Sequence, residues 1–336
     1  MCKRVFAHQT SEQGDVPFYK IGTIGAEPDA YISRELFEDY KAKYNYPREG
    51  EVMVTCAGTV GKTIVFNGDD SYYQDSNIVW LSNPKQLYLN SFLYYYLSQV
   101  NWNKLNSTTI TRIYNDNLRE LVIKYPSVYE QEKIVSLLSL LDQRIAVQNK
   151  VIERYESLIK ALAHEIIGKN KTNSLLVDMV DCSASLLKES DLNNNNRMFP
   201  TYGAAGLSGY TDICLSERDS ILITKDGSGV GSLRYVKGKH SFVGTLNSLT
   251  PKNGIYLPYV YYALFCVNFD TYKTGQAIPH IYFKDYAKES IYCPAYEDQK
   301  RLAKGFELID SKIKHQRAEL KGLLSIKAYL LANLFI

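Results

Sequence analysis

Residues 126–148 read PSVYEQEKIVSLLSLLDQRIAVQ, and residues 294–316, PAYEDQKRLAKGFELIDSKIKHQ, match them without a gap. The offset is 168 residues, half of the 336-residue chain. Pro126 falls on Pro294, Gln131 on Gln299, Asp142 on Asp310, Ile145 on Ile313 and Gln148 on Gln316. Upstream at the same offset, TITRIYNDNL (109–118) falls on AIPHIYFKDY (277–286), and LNSFLYYYLS (89–98) on LPYVYYALFC (257–266). Self-similarity at a fixed offset marks a duplication. The chain therefore reads as two copies of one unit, each closed by a proline and a long helix.

Within both helices the apolar residues repeat at spacings of 4 and 3. The first seam runs Ile134, Leu138, Leu141, Ile145, Gln148, Ile152, Tyr155, Ile159, Leu162, Ile166; the second runs Leu302, Phe306, Ile309, Ile313, Gln316, Leu320, Leu323, Lys327, Leu330, Leu334. Sustained spacing of this kind predicts a coiled-coil seam, and each helix has the other copy's helix as its natural partner. Two amphipathic helices, each lying on its own domain, are the plainer alternative. Gln148 and Gln316 interrupt the two seams at equivalent mid-helix positions. In an antiparallel pair related by a pseudo-two-fold axis they would meet and hydrogen-bond, fixing register at some cost in stability; alternatively both sit at a wet edge of the seam.

Ahead of each helix lie short β-rich runs, EVMVTCA, KTIVF and NIVWLS in the first copy and SILITK and SLRYV in the second, punctuated by Gly, Asn and Asp. The expected fold class is α+β. It comprises domains at 1–125 and 170–293, followed by helices at 126–169 and 294–336 that form an antiparallel coiled coil.

Composition excludes several classes. Apolar residues make up 45% and charged residues 22%, as in ordinary globular proteins, and the net charge of +3 is too small to announce a nucleic-acid partner by itself. The 28 tyrosines suit strand packing or a surface that touches something polar. Six scattered cysteines form no CxxC pair, which argues against a structural metal and a disulfide framework. No apolar run reaches membrane-spanning length and the N-terminus lacks a signal-peptide core, so the protein is read as cytoplasmic.

The segment CAGTVGKT (56–63) ends like a phosphate-binding loop. That loop requires glycine five residues before Gly61, where Cys56 stands. The copy in the second half, DGSGVGSL from Asp226, keeps a glycine-rich turn ending in Val-Gly but has Ser232 in place of Lys62. A glycine turn between strands fits both copies better than a nucleotide hydrolase does. A DNA methyltransferase would need an Asn/Asp-Pro-Pro-aromatic segment, which is absent, and the five histidines are too dispersed for a nuclease centre.

Two variable halves, each closed by a proline and EQxKIxxxLxxLDxxI-type helix, resemble the specificity (S) subunit of type I restriction–modification enzymes. VPFYKIG (16–22), the GTVGK turn, ITRIY and IPHIY resemble that family's target-recognition domains. The resemblance covers nearly the whole chain, and its most specific part is the proline-to-helix segment. It implies that each domain reads one half of a split, asymmetric sequence in double-stranded DNA. It further implies that the helices space the domains and dock two methyltransferase (modification) subunits, which restriction subunits join. The subunit itself would be non-catalytic, with no cofactor and no metal. One departure is that about 25 residues (172–197) precede MFPTYGAAG in the second half and only about 16 precede PFYKIG in the first. A strand corresponding to LLVDMV (175–180) is thus expected to be missing or short in the first copy.

For a DNA reader, phosphate contacts set register and base-edge contacts set sequence. The candidates on expected loops are Lys20, Thr23, Thr59, Lys62, Thr63, Thr109, Arg112 and Asn115 in the first copy. In the second they are Lys225, Ser228, Lys237, Lys239, His240, Lys273, Gln276 and His280. The first seam, from Ile134 to Ile166, would extend roughly 50 Å at about 1.5 Å per residue, more than one DNA turn of about 35 Å. A coiled-coil scaffold that binds only protein shares the helices and differs only in lacking DNA binding.

Overall fold

The computed structural model describes residues 1–75, 77–84, 86–102, 112–193 and 198–335. It divides into a unit of Met1–Val147 with Leu320–Ile336 and a unit of Gln148–Glu319.

In the first unit the chain forms β1 (Val16–Tyr19), β2 (Tyr31–Ile32), α1 (Arg34–Lys43), β3 (Val52–Thr55), β4 (Thr63–Val65), β5 (Tyr72–Tyr73), β6 (Ile78–Leu81), α2 (Asn90–Gln99) and α3 (Asn115–Arg119). The start of α4 (Val128–Ala163) completes it. Two three-stranded sheets result, ordered β2-β1-β5 and β4-β3-β6. β1 runs antiparallel to β2 and parallel to β5, while β3 is antiparallel to both neighbours. All four residues of β3 are buried, which is why VMVT is continuously apolar instead of alternating. Ser33 caps α1 by accepting from the Leu36 amide. Much of the tyrosine excess is core: Tyr72 is fully buried, and Tyr46 packs edge-on against Phe37 while its hydroxyl donates to the Ser71 carbonyl at 2.7 Å.

The second unit repeats this plan. Its elements are β7 (Ser174–Leu175), α5 (Leu176–Met179), β8 (Val180–Ala184), β9 (Phe199–Gly203), β10 (Gly206–Thr211), β11 (Ser220–Thr224), β12 (Leu233–Val236), β13 (Ser241–Phe242), β14 (Leu246–Pro251), α6 (Leu257–Ala263), α7 (Phe283–Tyr286), β15 (Ser290–Ile291) and most of α8 (Tyr296–Leu334). The sheet β10-β9-β13 again has a parallel pair, β9 with β13, and β12-β11-β14-β8 corresponds to β4-β3-β6 with a strand added. That fourth strand pairs with β14 and has no counterpart among the described residues of the first unit. The strand lies later than LLVDMV suggests. Leu176 and Met179, three residues apart and both fully buried, make one helical turn, and the extended segment begins at Val180.

Both helices begin beyond their prolines, and α4 continues as a π turn over His164–Gly168. Every seam residue except Ile166 is buried or half-buried.

Candidate nucleic-acid interface

Each unit builds the same turn from a different sequence. In the first, Gly61 N donates to Thr55 O at 2.8 Å and Thr55 N to Lys62 O at 3.0 Å. In the second, Gly231 N donates to Thr224 O at 2.9 Å and Thr224 N to Ser232 O at 3.0 Å. Gly61 and Gly231 have φ of +83° and +86°, which side-chain-bearing residues avoid. Each also packs closely against an aromatic residue. A Cβ would fall 2.1 Å from Trp102 Cδ1 at Gly61 and 2.7 Å from Phe269 Cβ at Gly231. These turns join antiparallel strands, β3 to β4 and β11 to β12. A phosphate-binding loop instead feeds a helix N-terminus. Thr63 opens β4 opposite Val54, so the nucleotide-hydrolase reading has no structural basis.

The segment that follows the aromatic residue docks beside the turn in both units. Ile113 N donates to Cys56 O and Ile281 N to Lys225 O, each at 2.9 Å. In the first unit this brings Arg112 to the turn. Burial pushes the Cys56 thiol up to about 11, while the nearby Arg112 guanidinium pulls it down. The loop after β1 closes over the same place. A Cβ on Gly58 would meet Ile21 Cδ1 at 2.7 Å, and one on Gly25 would lie 3.7 Å from Lys62 Nζ. The loops that carry Lys20, Thr23, Thr59, Lys62 and Arg112 therefore lie together. Lys20 pairs with Asp29 at 3.1 Å, and Thr63 hydrogen-bonds Ser98 at 2.8 Å. Asn115 is exposed at the start of α3, and Thr109 lies outside the described residues.

In the second unit the structure divides the candidates. Lys225, Ser228, Lys273, Gln276 and His280 gather around the turn, where Gly227 N donates to Pro279 O at 2.9 Å. Lys273 also pairs with Asp270 at 2.6 Å. Lys237, Lys239 and His240 follow β12 and lie at the other end of the β11–β12 hairpin, next to Ser220. Lys239 pairs there with Glu217. His240 is a correction to the sequence-based list, because its imidazole is fully buried. The Gly238 carbonyl can only accept, so Nδ1–H donates to it at 2.7 Å, and Nε2 takes the Ser220 hydroxyl at 2.7 Å. Burial lowers its pKa below the ordinary value, opposed by the Gly238 hydrogen bond and the Asp219 charge. With both nitrogens used, the side chain has nothing left to offer a ligand.

A second set of duplicated contacts ties each domain to its own helix. Gln131 accepts from Leu89 N at 2.8 Å and donates to Pro126 O at 2.9 Å; Gln299 accepts from Tyr256 N at 2.8 Å and donates to Pro294 O at 2.9 Å. Tyr95 donates to Asp142 at 2.9 Å and Tyr262 to Asp310 at 2.5 Å. Burial first, then the adjacent carboxylate, holds both phenols well above the ordinary tyrosine range, so they remain donors. Gln148 Nε2 reaches Gln316, Arg317 pairs with Glu156 at 2.5 Å, and Lys327 pairs with Asp142. The repeat flagged Gln131 and Gln299 as equivalent, but nothing in the sequence pointed to their partners.

Among the described residues no His, Cys, Asp or Glu group is placed to hold a metal, and no helix is long and apolar enough to cross a membrane.

Comparison with known proteins adds to this geometry. The sequence model of the type I restriction modification DNA specificity domain matches residues 1–156 and again 170–323. The chain is 51% identical over 138 residues to a putative type I restriction enzyme specificity subunit of Haemophilus influenzae, an alignment covering 41% of this chain and 36% of that relative. It is 24% identical over 316 residues to a putative type I specificity subunit of Mycoplasma pneumoniae, covering 84% of this chain and 82% of the other. Among solved structures, the crystal structure of the type I restriction-modification system S subunit from M. genitalium matches with a TM-score of 0.59 at 21% identity, over 100% of this chain and 92% of that one. A chain from work on complex assembly and conformational transition of the type I R-M system matches at 0.53 and 15% identity, over 95% and 91%. At these identities the structural likeness is one of fold.

Proposed function

The chain belongs to the type I restriction–modification DNA specificity family, and we propose that it is the subunit that reads DNA sequence for such a complex. Each unit reads one half of a bipartite target. The observation that carries this reading is the duplicated turn: the same backbone hydrogen bonds and an aromatic residue packed against the glycine present Thr59 in one copy but Gly229 in the other. A shared scaffold with different side chains is what an asymmetric target requires.

The interface in the first unit consists of Lys20, Thr23, Thr59, Lys62, Thr63, Arg112 and Asn115, with Thr109 assigned to it from sequence alone. In the second it consists of Lys225, Ser228, Lys273, Gln276 and His280. α4 and α8 act as an antiparallel coiled coil whose register is set by Gln148 and Gln316. The Gln148–Gln316, Glu156–Arg317 and Asp142–Lys327 contacts support that pairing. Two modification subunits dock on this frame, restriction subunits join through them, and the catalytic groups reside on those partners.

The test is to express the chain with its modification subunits and map methylated adenines across a genome. Exchanging residues 1–125 for those of another specificity chain should replace one half of a split motif and keep the other. An unchanged motif would refute the reading. Assembly without sequence-specific DNA binding would favour a protein-only scaffold.

A further inference from the structure

The hairpin at residues 274–280 holds an apolar side chain out at its tip. Thr274 and His280 exchange both backbone hydrogen bonds, each at 2.9 Å. Gly275 closes the hairpin with φ +87°, where a Cβ would fall 2.5 Å from the Ile278 carbonyl. That carbonyl can only accept, so it takes Nδ1–H of His280 at 3.1 Å. Pro279 O and Ile281 N bond to Gly227 and Lys225, which fastens the hairpin to the glycine turn on both sides. Ile278 is nevertheless 65% exposed, beside exposed Gln276. The nearby carboxylates are matched by cations: Asp270 pairs with Lys273 at 2.6 Å, and Asp226 lies 4.0 Å from Lys225. The tip is therefore apolar and uncharged within a polar, hydrogen-bonding surround.

On the DNA-reading function proposed above, we infer that Ile278 is a specificity-determining residue that reads a thymine in the half-site of the second unit. The thymine C5 methyl is the one apolar group that base edges offer in the major groove. A β-branched side chain on a fastened backbone has little rotamer freedom to lose in covering it. The alternative occupant of an exposed isoleucine is a partner protein. Lys225, Ser228, Gln276 and His280 around it are donors and acceptors suited to base edges and phosphates, and this favours DNA.

The test uses the assembled complex with its modification subunits and duplexes of its own motif, in which deoxyuridine replaces one thymine at a time and so removes only the methyl. If wild type shows no sequence-specific binding, the DNA-reading function itself fails. Given specific binding, wild type should lose about fourfold in affinity at one thymine of the second half-site, the equivalent of one buried methyl-sized group. Ile278→Ala should bind the thymine duplex less tightly by a similar factor, ignore deoxyuridine at that position and keep the first half of the motif. The inference is overturned if that half-site has no methyl-sensitive thymine, or if Ile278→Ala keeps full methyl sensitivity. It is also overturned if the variant folds but fails to assemble, which would assign the tip to a protein partner. An unchanged melting temperature establishes that the variant folds.

Discussion

The amide of Gln148 donates to Oε1 of Gln316 at 2.8 Å and to the Gln316 backbone carbonyl at 3.0 Å, joining equivalent residues of the two repeats. Gln148 is buried, so the bond replaces water rather than supplementing it. Gln148→Leu alone strands the Gln316 amide and should cost about 1–3 kcal/mol. Gln148→Leu with Gln316→Leu removes both polar groups and should melt above wild type while losing a single helix register. Thermal melts and cysteine cross-linking across α4 and α8 check both halves. A double variant that melts no higher and keeps one cross-linking pattern would remove the register role.

Gln131 and Gln299, themselves buried, each pair with one N–H and one carbonyl of half-buried residues at the junction of domain and helix. Gln131→Leu and Gln299→Leu should each destabilise by on the order of 2–4 kcal/mol, since two groups lose their partner at once. Hydrogen exchange separates this from general loosening. The Leu89 amide should lose protection only in the first variant and the Tyr256 amide only in the second.

Gly61 and Gly238 both have positive φ, +83° and +70°, but a Cβ at Gly238 meets nothing within 4 Å whereas one at Gly61 runs into Trp102. Gly238→Ala should cost about 1 kcal/mol for the backbone conformation alone. Gly61→Ala should cost about 1–3 kcal/mol more, for the displaced indole. Chemical denaturation of the two variants measures that difference. Equal losses would show that Trp102 yields freely.

His240 is neutral in the folded chain, with its pKa lowered by burial. The unfolded state then binds more protons between the folded and unfolded values, so stability is full above about pH 6.5 and falls as the pH drops below it. Melting temperature against pH should decline on the acid side, and His240→Gln should remove that component of the decline. A parallel decline in the variant would place the sensitivity elsewhere.

The helices were legible because heptad spacing is local and every turn restates it. The duplication was legible because residues 126–148 and 294–316 keep their spacing. The strands of the glycine hairpin were legible because VMVT and SILIT are buried on both faces and read as plain apolar runs. His240 misled because LRYVKGKH looks like a solvated turn. Its burial follows from β11 bringing Ser220 beside it, a contact between residues 20 apart. The aromatic floors were not legible at all. Trp102 and Phe269 sit under Gly61 and Gly231 through chain paths of about 40 residues, and neither ring belongs to a periodic pattern.

Lys62 distinguishes the two phosphates between which its sequence is ambiguous. Its ammonium lies beside Gly25 and has no carboxylate partner among the described residues, so its charge is available to an anion. The turn around it runs into a strand, so no helix N-terminus joins it in binding a nucleotide. On the DNA-reading function proposed above, that anion would be a DNA phosphate, a contact that carries no sequence information. Lys62→Ala should weaken binding by about the same factor on specific and unrelated duplexes. It should also reduce the slope of log K against log salt by about 0.9, the release of one counterion. The methylation motif should not change. A changed motif with an unchanged salt slope would make Lys62 a base reader, and ATP turnover by the isolated chain that Lys62→Ala abolishes would return the lysine to the nucleotide reading.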